Sequence, residues 1–375
     1  MRKAMIRVGQ PYFSDPDISE IISRIALVLR SGWLTSGEVA AEFEQKFGTI
    51  AGTRYAIALS SGTAALHAIL SALRLRADDE VIVPANTFAS TANAVLYVGA
   101  KPVLADCDIS TFNVTAETIE YSISPKTKAV IITHIGGNPC EMDDIVKLCD
   151  EEDLVLIEDA AHAHGSEYKG RRCGSFGLAN AFSFYPTKVM TSGEGGMITT
   201  DSKDVYEYTK LFRNVGRASV GHGPIIALGY NYRMSDIHAV IGLNQLKHLE
   251  EFVKKRNELA HIYDEEISNL DWLEPQQVYD HSTSSYYAYI VRLLRNSPIS
   301  RDAIMESLGK KSIETTIMFR PIHMQPYYKD VTDISDSYPD AEVVGTNTFV
   351  LPLHVGMAAE DVRYVTKALG NVGSK

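Results

Sequence analysis

Covalent cross-links have little to work with in this chain. Its 375 residues include four cysteines, Cys107, Cys140, Cys149 and Cys173. They form no CxxC pair and have no His-rich neighbour at zinc spacing, so neither a disulfide framework nor a zinc knuckle is expected. Four reduced thiols in a reducing compartment are expected instead. A chain of this length buries a core without cross-links. Basic charge is also short. Lys and Arg number 36 against 47 Asp and Glu, a net charge of −11. That excludes a broad surface for nucleic acid, which needs positive charge to meet phosphate. A local basic pocket for a phosphorylated small molecule remains compatible with it. Long apolar runs are missing as well. No stretch approaches the roughly 20 apolar residues of a membrane span. Arg2 and Lys3 are not followed by the apolar segment of a signal peptide. The expectation is a cytoplasmic protein with no membrane and no nucleic-acid partner.

Several nucleotide and hydrolase motifs are absent. No GxGxxG follows an apolar run, which removes the dinucleotide fingerprint. GSEYKGRR at 165–172 keeps the glycine spacing of a P-loop but lacks its Lys-Ser/Thr ending. There is no GxSxG elbow and no HExxH. His162 and His164 form an HxH near Asp159, but a metal there would need carboxylates that the sequence does not point to. No metal is expected.

What is present is alternation. Apolar residues make up 45% and charged residues 22%, ordinary values for a globular protein. At about 150 residues per domain, the length suits a large α/β domain plus a smaller one. Ile18, Ile21, Ile22, Ile25 and Leu29 fall at helical spacing over 17–31. A second helix starts near Gly62, with Leu66, Ile69, Leu70 and Leu73 on one face. Short β-branched or aromatic runs then recur at Val81–Val83, Val103–Ala105, Ala129–Thr133, Leu154–Ile157 and Ala181–Phe184, with Met197–Thr200 after them. Helix-length segments such as Asp143–Asp150 separate most of them, the pattern of parallel strands with crossover helices. The predicted fold class is α/β, with a mostly parallel central sheet flanked by helices. After about residue 236 the pattern changes. Ile237 to Val253 reads as one long helix whose C-terminal half is suited by the basic run at 254–256. One strong strand candidate, Tyr286–Leu294, follows among helices and Pro-marked turns. The expected division is a large domain over 1–247 and a smaller α+β domain over 248–375, with no internal repeat.

Three features fall at strand ends or a helix start, where open α/β sheets bind ligands. Glu158 and Asp159 directly follow Leu154–Ile157, although Asp also caps helices with no ligand present. Lys188 follows a strand broken by Pro186, and a glycine-dense turn, Ser192 to Gly196, comes next. A lysine desolvated there becomes a nucleophile toward aldehydes, while an isolated lysine is more simply a surface residue. Ser60-Ser61-Gly62-Thr63 opens a helix, where small residues let backbone N–H groups meet an anion; Ser and Thr are also ordinary caps there. Together they supply what pyridoxal 5′-phosphate (PLP) needs: a phosphate cradle, an acid for the pyridine nitrogen and an amine for the aldehyde.

The sequence resembles the DegT/StrS-type sugar aminotransferases, a branch of the fold type I PLP enzymes, over essentially the whole chain. The resemblance rests on six ordered motifs: SGWLTSG at 31–37, SSGTAAL at 60–66, PANTFASTANAV at 84–95, EDAAHAHG at 158–165, SFYPTKVMTSGEGG at 183–196 and GYNYRMSD at 229–236. It implies the fold type I sheet and PLP as cofactor. Lys188 matches the lysine that forms the Schiff base, and Asp159 the carboxylate paired with the pyridinium nitrogen. His162 sits where the family has His or Gln near the phenolic oxygen. Phe88 matches the aromatic stacked on the ring. Gly62 and Thr63 match backbone phosphate contacts, and Ser183 a hydroxyl contact. Asn231 matches an asparagine that reaches the phosphate from a neighbouring subunit, which implies a homodimer with shared active sites. Trp33 and Thr35 match residues lining the substrate side.

One segment departs from the pattern. Family members often carry a Tyr shortly before a Pro-x-His; here the segment reads Met318-Phe319-Arg320-Pro321-Ile322-His323. The resemblance implies transfer of an amino group, from glutamate, to a keto group of a nucleotide-activated deoxysugar. The HAHG and MTSGEGG wording is similar to the branch acting on cyclitols and related ketones. A PLP-dependent sugar dehydratase is a further alternative, although some of those replace the lysine with histidine. A regulator would carry a DNA-binding module and a basic face, and neither is expected from this sequence.

Overall fold

The computed structural model describes residues 5–218, 223–330 and 337–372; Arg2 and Lys3 lie outside them. The chain opens with α1 (Asp15–Ser31) and α2 (Glu38–Ala51), then β1 (Tyr55–Leu59) and α3 (Gly62–Ala72). β2 (Glu80–Pro84), α4 (Ala89–Tyr97), β3 (Lys101–Ala105), α5 (Ala116–Glu120) and β4 (Thr127–Thr133) follow. Next come α6 (Met142–Glu151), β5 (Val155–Asp159), β6 (Glu167–Tyr168), β7 (Arg171–Arg172), β8 (Ala179–Ser183) and β9 (Gly196–Thr200). The last part holds α7 (Lys203–Arg213), α8 (Asp236–Leu246), α9 (Leu249–Ile267), β10 (Leu273–Pro275), β11 (Ser282–Thr283), β12 (Tyr289–Leu293), α10 (Arg301–Lys310), α11 (Pro339–Asn347), β13 (Thr348–Leu351) and α12 (Ala359–Gly370). No helix among the described residues is long and apolar enough to cross a membrane.

The central sheet has seven strands in the order β1-β9-β8-β5-β4-β2-β3. Neighbours from β3 to β8 pair in parallel, while β9 runs antiparallel to both β8 and β1. The expected mostly parallel sheet is therefore present, with one reversed strand. Helices cover both faces, so the strands are buried on both sides, and this is why they read as continuous apolar runs. Register sets the site: Thr133, the last residue of β4, lies opposite Asp159, the last of β5. A second core gathers α9, β12, α10, β13 and α12 around Leu259, Tyr263, Val291, Ile304, Phe349 and Leu369.

Four expectations need correcting. β1 was not foreseen, because YAIAL is alanine-rich and short on β-branched residues. The long helix over 237–253 is two helices, broken at Lys247 and His248. The apolar period runs through the break because Leu249, Phe252 and Val253 at the start of α9 bury in the same core as Ala239, Leu243 and Leu246 of α8. His248 is held there by Asp17 of α1, Nε2 to Oδ1 at 2.8 Å. The basic run 254–256 thus lies in the first half of α9, and Arg256 is buried. The apolar face expected for α1 is only partly covered. Ile21 packs on Val240 of α8, whereas Ile18, Ile22 and Leu29 are exposed. Among the described residues α1 packs on α8 and beside Val39 of α2, and these leave its outer face uncovered. Finally, the strand predicted over 286–294 begins only at Tyr289, because Tyr286 turns into the left-handed region at φ 44°.

Candidate active site

β5 ends at Asp159 and no helix follows it, so Asp159 does not act as a cap. Its side chain is buried at the carboxyl edge of the sheet. Oδ1 accepts the Ala161 N–H at 3.2 Å, and Oδ2 accepts the Thr91 hydroxyl at 2.7 Å. Thr91 has one hydroxyl proton and gives it to Asp159. Thr87, 3.0 Å away, must then donate to Thr91, and Thr133, 3.0 Å from Thr87, must donate to Thr87. Three buried hydroxyls so form a directed chain ending on the carboxylate, each bond polarising the next. Burial pushes the Asp159 carboxyl up from the ordinary value. Thr91, the Ala161 N–H and the charge of Lys188 pull it back only in part.

The neighbouring acid does different work. Glu158 points to the opposite face of β5 and accepts the N–H groups of Gly174 (2.6 Å), Phe176 (2.6 Å) and Gly177 (3.0 Å). His134 Nδ1 accepts the Cys140 N–H at 3.1 Å, so Nε2 carries the proton and donates to Glu158 at 2.9 Å. Cys173 stands close enough to complete a possible ligand trio. His134, however, has no spare lone pair, and Glu158 is saturated with donors. The cluster is a latch between β4, β5 and the turn before β8.

Lys188 is half-buried in the turn after β8, and its Nζ lies 4.5 Å from the centre of the Tyr287 ring. The same tyrosine ring stacks on His162 at 4.2 Å and 15°. Phe319 lies parallel to His162 at 5.7 Å and 12°, and Phe88 lies 6.1 Å from Phe319. The segment that departs from the family pattern therefore lines this site. Burial lowers the pKa of His162 well below the ordinary range and that of His164 to about 3, so both rings are neutral near pH 7. His162 Nδ1 is buried with no hydrogen-bond partner.

The helix start is a true cap. Ser61 Oγ accepts the Ala64 N–H at 3.1 Å, while Thr63 Oγ1 lies 2.7 Å from Ser90 Oγ on α4. A Cβ on Gly62 would stand 2.9 Å from Ser183 Cβ, and one on Gly196 would stand 2.3 Å from the Ser61 carbonyl oxygen. Only glycine lets the SSGT turn lie against the ends of β8 and β9. Gly62, Thr63 and Ser183 are thus brought together, with the first N–H groups of α3 free of intrahelical acceptors.

The remaining predicted residues sit further out. Thr35 donates to the Met234 carbonyl at 3.1 Å, and Met234 packs beside Gly195 in the glycine-dense turn. Trp33 and Phe88 are largely exposed. Asn231 is exposed on the segment after Gly223, and its neighbour Tyr232 accepts the Ser60 N–H at 2.8 Å. Sequence reasoning missed Thr91, Tyr287 and Asn86. Asn86 is buried between β2 and α4 with neither amide atom partnered. Asn86 and Thr91 lie inside a motif that was recognised as a block. Tyr287 lay inside a predicted strand.

These residues fit PLP on the chemistry of the donors: a buried carboxylate short of a cation, a partnerless imidazole nitrogen, a primary amine and a glycine-lined helix start. Comparisons with known proteins agree. The model of the DegT/DnrJ/EryC1/StrS aminotransferase family matches residues 16–370. GDP-perosamine synthase of Escherichia coli O157:H7 is 37% identical, over 91% of this chain and 92% of its own. The structure of DesI in the presence of its TDP-sugar product superposes with a TM-score of 0.90 at 30% identity, covering 100% of this chain and 94% of that one. Spr1654 of Streptococcus pneumoniae, solved in PLP and PMP forms, superposes at 0.92 with 29% identity over 98% of each chain. The chain belongs to the DegT/DnrJ/EryC1/StrS aminotransferase family and is a PLP-dependent transaminase with the fold type I architecture.

Proposed function

We propose that this enzyme moves an amino group from glutamate to a keto group of a nucleotide-activated deoxysugar. The observation that carries the reading is the meeting of Asp159, Lys188 and the α3 start at one edge of the sheet. The acceptor class draws support from GDP-perosamine synthase and from DesI with its TDP-sugar product.

When bound, PLP supplies an electron sink that acidifies the Cα proton of the amino donor. Lys188 would hold the cofactor through its amine and, as a free amine, would serve as the base and acid for the donor's proton. Asp159 holds positive charge at the ring nitrogen, and a cation there relieves the burial that otherwise pushes its carboxyl up. Gly62, Thr63 and Ser183 bind the phosphate. His162, with its open Nδ1, would meet the phenolic oxygen, and Phe88 would help to hold the ring. Trp33 and Thr35 line the acceptor side.

The test is an absorbance spectrum of the purified protein before and after glutamate, followed by keto-sugar screening. The lysine-linked cofactor band should give way to that of pyridoxamine phosphate. Bound PLP that ignored glutamate would refute the donor. Turnover of a cyclitol ketone with no keto-sugar turned over would refute the acceptor class. Lys188→Ala should lose both the band and turnover.

The same reading includes a homodimer in which Asn231 serves the neighbouring subunit's phosphate site. Its support is the exposure of large apolar side chains, Ile225, Ile226 and Leu228 each more than 60% exposed, with Trp33 and the outer stripe of α1 exposed as well. Light scattering of active enzyme tests it: an active monomer would refute it, and Asn231→Ala should weaken PLP binding.

A further inference from the structure

The segment that enters the site from the side of β12 is built under constraint. Tyr286 holds φ at 44°, a costly conformation for a bulky residue, and such strain persists only where surroundings impose it. The surroundings do so here. Arg256, buried on α9, donates through Nη1 to the Tyr286 and Leu353 carbonyls, both at 2.9 Å. Ser285 Oγ donates to the His162 carbonyl at 2.6 Å, and the Ser285 N–H donates to Ser166 Oγ at 3.0 Å. Gly137 makes room at the opposite wall, because a Cβ there would stand 2.1 Å from Ser285 Oγ and 3.1 Å from the Tyr287 nitrogen. The chain is pinned on both sides of the turn, and the next side chain is delivered into the site.

That side chain is Tyr287, and it makes three contacts at once. Its ring stacks on His162, its face lies beneath Lys188 Nζ, and its hydroxyl is 3.2 Å from that of Thr187, the residue before Lys188. We propose that Tyr287 is the positioning residue for the amine of Lys188, holding it by the electron-rich ring face while the same ring fixes the plane of His162. The strained turn at Tyr286 sets the height of that ring. The proposal rests on Lys188 being the cofactor lysine.

The geometry assigns the larger effect to the ring and the smaller to the hydroxyl. Tyr287→Leu removes both, Tyr287→Phe removes the hydroxyl alone, and Thr187→Val removes the hydroxyl's partner. Turnover should fall in the order wild type, then Tyr287→Phe and Thr187→Val together, then Tyr287→Leu. The last should lose about 2- to 30-fold, the range an ammonium–ring contact supplies. The folding midpoint should stay level through the series.

A second readout needs no cofactor. Reductive methylation of the cofactor-free protein, mapped by mass spectrometry, reports how freely the Lys188 amine meets a reagent. Phenylalanines carrying zero to three ring fluorines at position 287 keep the ring's size while draining its face of negative potential. They also serve if Tyr287→Leu does not fold. Methylation of Lys188 should speed up stepwise with fluorine, by at least twofold across the set, while turnover declines. Equal methylation rates across the set, or a Tyr287→Phe enzyme as slow as Tyr287→Leu, would overturn the proposal. An active Lys188→Ala enzyme would instead overturn the reading beneath it.

Discussion

Thr91→Val is the sharpest test of how the acid of this site is kept ionised. The substitution is nearly isosteric and removes the hydroxyl that donates to Asp159 at 2.7 Å. A hydrogen bond to a buried charge contributes about 1.5–3 kcal/mol, and one to a neutral acceptor about 0.5–1.5. Removing it should therefore raise the Asp159 carboxyl further beyond the rise that burial already imposes. The sign follows from linkage. A carboxyl whose folded value exceeds its unfolded one binds more protons in the folded state, so it costs stability as pH rises above the ordinary carboxyl range. Thr91→Val enlarges that cost, and its penalty should grow as pH rises above the ordinary carboxyl range. Thr87 also loses its acceptor, a penalty of about 1–3 kcal/mol that does not depend on pH. A double-mutant cycle with Asp159→Asn separates the two, because only the charge-dependent part vanishes with the carboxylate. Urea unfolding of the cofactor-free proteins should give a coupling of about 1–1.5 kcal/mol at the higher pH, the difference between a charged and a neutral acceptor for the Thr91 hydroxyl. A coupling below about 0.5 kcal/mol there, within the scatter of independent sites, would show that the threonine chain does not hold the charge.

Asp159→Asn should cut turnover by at least tenfold with the folding midpoint within a few degrees of wild type, read by steady-state kinetics and thermal melts; near-normal turnover would remove the acid from the mechanism. Gly196→Ala should destabilise by about 1–3 kcal/mol in urea and weaken PLP binding, since its methyl meets the Ser61 carbonyl that shapes the α3 start. Burial works against the charge of Asp17, but hydrogen bonds from Ser14, His248 and Asn244 outweigh it and hold that carboxyl well below the usual range. Its stabilisation is thus present above about pH 4 and is lost as pH falls further, so unfolding curves of wild type and Asp17→Asn should converge in acid.

Much of the site could be read from the chain because its residues end apolar runs. Asp159 closes Val155–Asp159, and Lys188 follows the break at Pro186. What the residues around them could not decide was use: Asp159 and Ser61 both read as caps, and only Ser61 is one. Thr91 was out of reach for another reason. Its partner lies 68 residues away, and nothing local distinguishes a threonine that faces a carboxylate from one that packs. Tyr287 was hidden by its setting, since a run of tyrosines before an apolar strand reads as more strand. The backbone reversal at Tyr286 comes from Arg256 and Ser285, contacts made across the fold. The split of 237–253 was invisible because both halves bury the same period in one core.

The alternation at the end of β5 also bears on misfolding. Glu158 and Asp159 are adjacent acids that face opposite sides and meet wholly different donors. A slip of one residue in the pairing of β4 with β5 would exchange them. A longer acid would then confront the threonine chain, and a shorter one would face His134 and three backbone N–H groups built to the length of glutamate. Each mispairing leaves several buried donors unmet, so the slipped sheet is rejected by its own polar groups before any ligand is present. Adjacent acids of unequal length thus distinguish the native strand register from its one-residue slip.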